Sequence, residues 1–140
     1  MRTAHLDPTL RTATTAPERP RWYRPLLTLD AVGCAAIAVA VVAFAGPLAD
    51  GFHLDADGVV LLAAALFAVA AAVNGVAART GRSWPVLVAI DLDAIFALWM
   101  ALVLVSGRGE PWARGLAAAG LTVSLAFGSL KAAGWWRRRG

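Results

Sequence analysis

The chain has 140 residues, of which 59% are hydrophobic and 16% charged, with a formal net charge of +4. Soluble domains average about 45–50% apolar residues, and the excess here gathers in four runs near residues 26–45, 59–78, 86–105 and 113–133. Runs of about 20 residues that are apolar all round cross a hydrocarbon core as helices, which excludes a soluble bundle with polar helix faces and a barrel of alternating strands.

Residues 1–24, MRTAHLDPTLRTATTAPERPRWYR, form a basic tail rich in Thr, Pro and Arg and without an apolar face. That composition predicts disorder as far as Arg19. The first span, 26–45, carries Asp30 near its start and the single cysteine, Cys34. Cys34 has no disulfide partner and reads as a small packing residue. Pro47 suits the end of this span. Ala43-Phe44-Ala45 also matches a signal-peptide cleavage pattern, against which stand the long basic tail and Asp30.

The loop that follows, PLADGFHLDADG, is acidic. Its HLDADG stretch matches part of a calcium loop at Asp55, Asp57 and Gly58. Position 1 is His53, however, and position 12 is Ala64 where the loop needs a bidentate Glu. The stretch reads as a solvated turn, and no metal site is expected. The second span, 59–78, holds Asn74 near its end. Arg79 and Arg82 follow, and Pro85 opens the third span, 86–105, which holds Asp91 and Asp93. Pro111 opens the fourth, 113–133, which holds Lys131, and residues 137–140 form a second basic tail. Proline suits a first helical turn, where its missing N–H costs little.

Basic residues set the orientation. Arg2, Arg11, Arg19, Arg21 and Arg24 precede the first span, Arg79 and Arg82 lie between the second and third, and Arg137, Arg138 and Arg139 follow the fourth. Only Arg108 and Arg114 fall on the other side. Lys and Arg accumulate in cytoplasmic segments, so both termini are expected in the cytoplasm of a cell membrane. Trp22, Tyr23, Trp84, Trp135 and Trp136 are expected at the inner interface, Trp112 at the outer one, and Trp99 in the packing. The basic balance therefore points to anionic lipid headgroups and not to nucleic acid.

The chain reads as two tandem helical hairpins. LDAVGCAAIAVAVVAFAG from Leu29 parallels LDAIFALWMALVLVSG from Leu92, which pairs Asp30 with Asp93 and, in the partner helices, Asn74 with Lys131. By a rise of about 1.5 Å per residue, these four and Asp91 lie roughly 5–12 Å inside the cytoplasmic boundary. Asp91 and Asp93 point to nearly opposite sides of their helix. Asp93 falls in line with Ala89, Ala97 and Ala101, a small-residue seam of the kind that lets helices approach in membranes. Asp91 falls in line with Ile95, Leu98 and Leu102 and is expected at the headgroups or a second subunit. The fourth span has its own seam, Gly120, Ser124 and Gly128, with Lys131 beside it. Asp93 or Asp30 is expected to pair with Lys131, with Asn74 completing the network.

Such a network fixes helix register, or lines a proton, cation or ligand path. The overall plan, with a basic tail, Leu29-Asp30-Ala31 opening the first span and Ala45-Gly46-Pro47-Leu48-Ala49 closing it, resembles small four-helix integral membrane proteins of high-GC bacteria. In architecture these are similar to the DoxX-like group. The resemblance implies a bacterial inner-membrane protein and carries over no catalytic residue. No Ser-His-Asp set, P-loop or zinc motif is present, and His5 and His53 fall on opposite sides of the membrane, so no enzyme and no cofactor are expected. Three functions remain: a structural or interaction module that can self-associate, a small transporter or channel with a cytoplasmic-side vestibule, and a quinone- or lipid-associated accessory protein.

Overall fold

The computed structural model describes residues 20–54 and 57–137, with Asp57 described in backbone only. The expected disorder of the N-terminal tail, the calcium-like pattern at Asp55 and Asp57, and the basic residues Arg138 and Arg139 lie outside the described residues and side chains. The described chain is all-helical: α1 (Tyr23–Ala43), α2 (Ala45–Gly51), α3 (Asp57–Thr80), α4 (Ser83–Ser106) and α5 (Pro111–Trp136). Four of these are long and apolar enough to cross a membrane.

Prolines mark the helix starts. Pro25, Pro47 and Pro85 are third residues of α1, α2 and α4, and Pro111 is the first residue of α5, all positions whose N–H would lack an intrahelical partner. Pro47 does more than end the first span. A proline cannot bond the carbonyl four residues back and its ring crowds that carbonyl. The helix accordingly breaks at Phe44, with φ −113° and ψ 27°, and restarts as α2 where the sequence suggested only a loop. At the far end of α4 the chain turns through Gly107 at φ 66°, a left-handed conformation that glycine adopts without a Cβ penalty.

The long helices pack as two pairs. α1 lies along α3, α4 lies along α5, and α3 joins the pairs through α4. The start of α1 and the end of α5 meet at one end of the bundle, here the tail end. There Gly134 of α5 lies against the ring of Tyr23 so closely that a Cβ would overlap it. Tyr23, Leu27, Ala77, Ala78 and Val86 form a buried cluster beside this contact. Tyr23 had been expected among the interfacial aromatics. It is fully buried, because its hydroxyl finds a partner inside the protein, the Lys131 carbonyl at 3.2 Å. Trp22, Trp84, Trp112 and Trp136 are exposed, as an interfacial belt requires.

A second cluster, Cys34, Ala70 and Phe96, sits deeper, with Phe67 stacked on Phe96 at 4.2 Å and Trp99 packed alongside. At the end opposite the tails, α2 is fastened to the start of α5. Gly51 accepts a backbone hydrogen bond from Glu110 at 2.8 Å. Trp112 lies on Gly51 where no side chain would fit, and meets Phe52 edge-on.

The outside of the bundle is apolar. Leu29, Val39, Leu98, Leu102 and Val105 are each more than half exposed. Continuous apolar surface on this scale marks contact with lipid or protein. Four spans of sufficient length wrapped in such a surface make the chain a multi-pass membrane protein.

Candidate functional site

Four buried polar side chains stand out against this apolar background: Asp30, Asn74, Asp93 and Lys131, at 8%, 1%, 9% and 0% exposure. Three of them meet. Lys131 Nζ donates to Asp93 Oδ2 at 2.7 Å and is in ion-pair contact with Asp30 Oδ2. One ammonium from α5 thus bridges carboxylates from α1 and α4, joining the two helix pairs through their polar positions. The Cys34 thiol, one turn beyond Asp30, lies 3.7 Å from Asp30 Oδ1 as a weak donor.

Local sequence explains the approach of α4 and α5. Ala89 and Ala97 are buried on the face that carries Asp93, and Ala101 is half-buried. A Cβ on Gly128 would stand 3.3 Å from the Asp93 Cβ, and one on Gly120 would stand 3.5 Å from the Met100 side chain. The glycines of α5 therefore face the Asp93 and Met100 side chains of α4. Lys131, one turn along α5 from Gly128, projects into the same interface. Asp91 is exposed beside Ile95, Leu98 and Leu102.

Asn74 requires a correction. It was expected to complete the network, yet its amide donates to the Ala70 carbonyl of its own helix at 3.0 Å. Its Oδ1 has no hydrogen-bond partner among the described residues. An amide has a short reach, and a free carbonyl one turn back offers a local acceptor that needs no second helix.

A chamber of about 590 Å³ adjoins the cluster, within the roughly 300–1,000 Å³ of small-molecule sites. Asp30 and Asp93 line its polar end, Phe67, Trp99 and Phe127 its middle, and Leu48 and Phe52 lie where α2 covers the other end. Ser124 of the α5 seam contributes a hydroxyl to the wall. The helices α1 and α5 meet at the tail end and touch little beyond it. Their lining side chains Leu29, Ile37, Leu116 and Val123 are substantially exposed. The chamber therefore opens sideways between α1 and α5, toward lipid.

Sequence reasoning missed this space and Gly33 in its wall; Cys34, read as a packing residue, does pack against Ala70 and Phe96 and also lines the space. The signal available was the i, i+4 spacing of Asp30 and Cys34 and the lack of a side chain at Gly33 between them. Among the described residues no group of three or more His, Cys, Asp or Glu side chains is placed to hold a metal ion. Comparison with family models, with curated proteins and with solved structures gave no match.

Proposed function

We propose that this is a four-span protein of a bacterial cytoplasmic membrane that binds a small molecule with an apolar body in the chamber between α1, α4 and α5, as a small carrier or receptor does. The observation that carries this reading is the continuity of the chamber with Asp30 and Asp93. A cluster that served packing alone would be closed off by side chains, as interiors usually are. Here a space of ligand size runs up to the carboxylates and opens to the side.

Both termini lie in the cytoplasm in this reading. Arg24, Arg79, Arg82 and Arg137 gather at the tail end and are exposed there, against Arg108 and Arg114 at the other, and the positive-inside bias favours that assignment. Each such residue near an anionic leaflet adds about 1 kcal/mol of attraction. A reporter inserted between Arg79 and Trp84 is expected to be active only in the cytoplasm. Activity outside the cell would reverse the orientation.

A chamber-narrowing variant tests binding. A Cβ on Gly33 meets nothing within 4 Å, and Gly33 lines the cavity, so Gly33→Leu narrows the space beside Asp30 without disturbing the helix. Replacing a mid-helix glycine also favours the helix by up to about 1 kcal/mol. In lipid nanodiscs, an aliphatic diazirine is expected to label Trp99 and Phe127 saturably in the parent and to half-saturate at higher concentration in Gly33→Leu. Half-saturation at the same concentration in both would refute the proposal.

A second reading has its own observation. Lys131 is fully buried and paired with both carboxylates, an arrangement that fixes the register of α1, α4 and α5. An interaction module that associates through the exposed Ile95, Leu98 and Leu102 face would need no ligand. Unsaturable labelling in the diazirine experiment would favour it.

A further inference from the structure

The carboxylates of the cluster line the chamber and the ammonium does not. Lys131 is fully buried, held on the far side of Asp30 and Asp93 from the cavity. A guest in the chamber therefore meets acceptors first. The groups are also unequal in number, since two acids face one ammonium. Asp93 meets Lys131 through Oδ2, and its Oδ1 bonds no described residue. The Oδ1 of Asp30 has only the weak Cys34 thiol.

We infer that the guest is an amphipathic monocation, an alkyl or aromatic body whose ammonium head meets Asp30 and Asp93 from the chamber side, opposite Lys131. This rests on the reading of the chamber as a binding site and adds the chemistry of its occupant. The head places a second positive charge beside two acids in a low-dielectric setting, where such pairing is strongest. The body lies along an apolar wall whose aromatic faces, Trp99, Phe67 and Phe127, also attract cations. The side opening between α1 and α5 admits a molecule that first partitions into lipid.

The same wall disfavours other guests. A quinone presents carbonyl acceptors, which the carboxylates at the polar end do not bond. A lipid phosphate would bring a second negative charge against Asp30 and Asp93, and like charges brought together discriminate strongly against a partner.

The test uses the full chain in nanodiscs of zwitterionic lipid and three probes with the same tail: dodecyltrimethylammonium, dodecanol and dodecyl sulfate. Each competes with diazirine labelling of Trp99 and Phe127. The ammonium is expected to protect at about tenfold lower concentration than the alcohol or better, the equivalent of one favourable charge interaction, and the sulfate not to protect. Asp93→Asn leaves one acid opposite Lys131, a balanced pair, and should bring the ammonium and the alcohol to the same concentration. Should that variant fail to insert, Asp30→Asn makes the same change from the other helix. Alcohol or sulfate protecting as well as the ammonium in the parent would overturn the cation assignment and leave the chamber as a binding site. Absence of saturable labelling, with no protection by any probe, would remove the binding site itself.

Discussion

Replacing Lys131 by methionine is expected to destabilise the fold by about 3–5 kcal/mol, the usual cost of removing one partner from a buried ion pair. The size follows from what remains. Asp30 and Asp93 reach the same ammonium from α1 and α4, so its loss leaves two carboxylates facing each other across a site with little access to water. Methionine matches the length of the lysine stem and leaves no large void, which isolates the charge effect from packing. The change should appear as a lower denaturant midpoint when the protein is unfolded by sodium dodecyl sulfate from mild detergent micelles.

Partial rescue distinguishes the cause. Adding Asp30→Asn and Asp93→Asn to Lys131→Met removes the stranded charges, so the triple variant should be more stable than Lys131→Met alone, with a coupling of about 0.5–3 kcal/mol. If Lys131→Met unfolds at the parent's midpoint, the ammonium does not hold the carboxylates and the cluster is not a structural joint. If the triple variant gains nothing, the loss came from packing of the lysine stem.

The cluster was readable in the sequence for a specific reason. In a span where nearly every residue is apolar, polarity says little about which face is inside, but residue size still does. Asp93 shares a face with Ala89 and Ala97, and the fourth span has glycines at 120 and 128, so close approach of these two faces followed from volume alone. The parallel Leu-Asp-Ala segments at Leu29 and Leu92 placed Asp30 at the same depth as Asp93. The span limits came from hydropathy, although each long helix runs two or three residues beyond its apolar run at the start, because prolines and polar residues fit the first turn.

What was not readable depends on three-dimensional spacing. Tyr23 looks interfacial by type and position, and its burial follows from the glycine opposite it on α5 and from the Lys131 carbonyl that accepts from its hydroxyl. Asn74 aligned with Lys131 in the internal repeat, yet an amide satisfies itself on its own backbone where a longer cation reaches across. Helix α2 follows from a proline whose effect could equally have been a loop. The chamber is set by the divergence of α1 from α5, and no hydropathy pattern encodes the gap between two apolar faces when lipid and protein interior are equally apolar. That gap is closed at one end by α2, whose hold on Trp112 needs a glycine at position 51.

The tail end, where α1 and α5 do meet, gives the second large expected effect. Gly134→Leu should destabilise the protein by about 1–3 kcal/mol, the range for inserting extra atoms into a packed interior. A Cβ at this position overlaps the Tyr23 ring. That ring has nowhere to move: it is fully buried among Leu27, Ala77, Ala78 and Val86, and its hydroxyl is tied to the Lys131 carbonyl. The helices must separate, and because Lys131 is the neighbouring turn of α5, separation also strains its contact with Asp30. A thermal melt in detergent micelles should show the lower midpoint. Tyr23→Ala removes the ring that the leucine meets, so the double variant Tyr23→Ala/Gly134→Leu should lose less than the two single changes added together, by about 0.5–3 kcal/mol. Strict additivity would mean that the leucine and the Tyr23 ring do not meet.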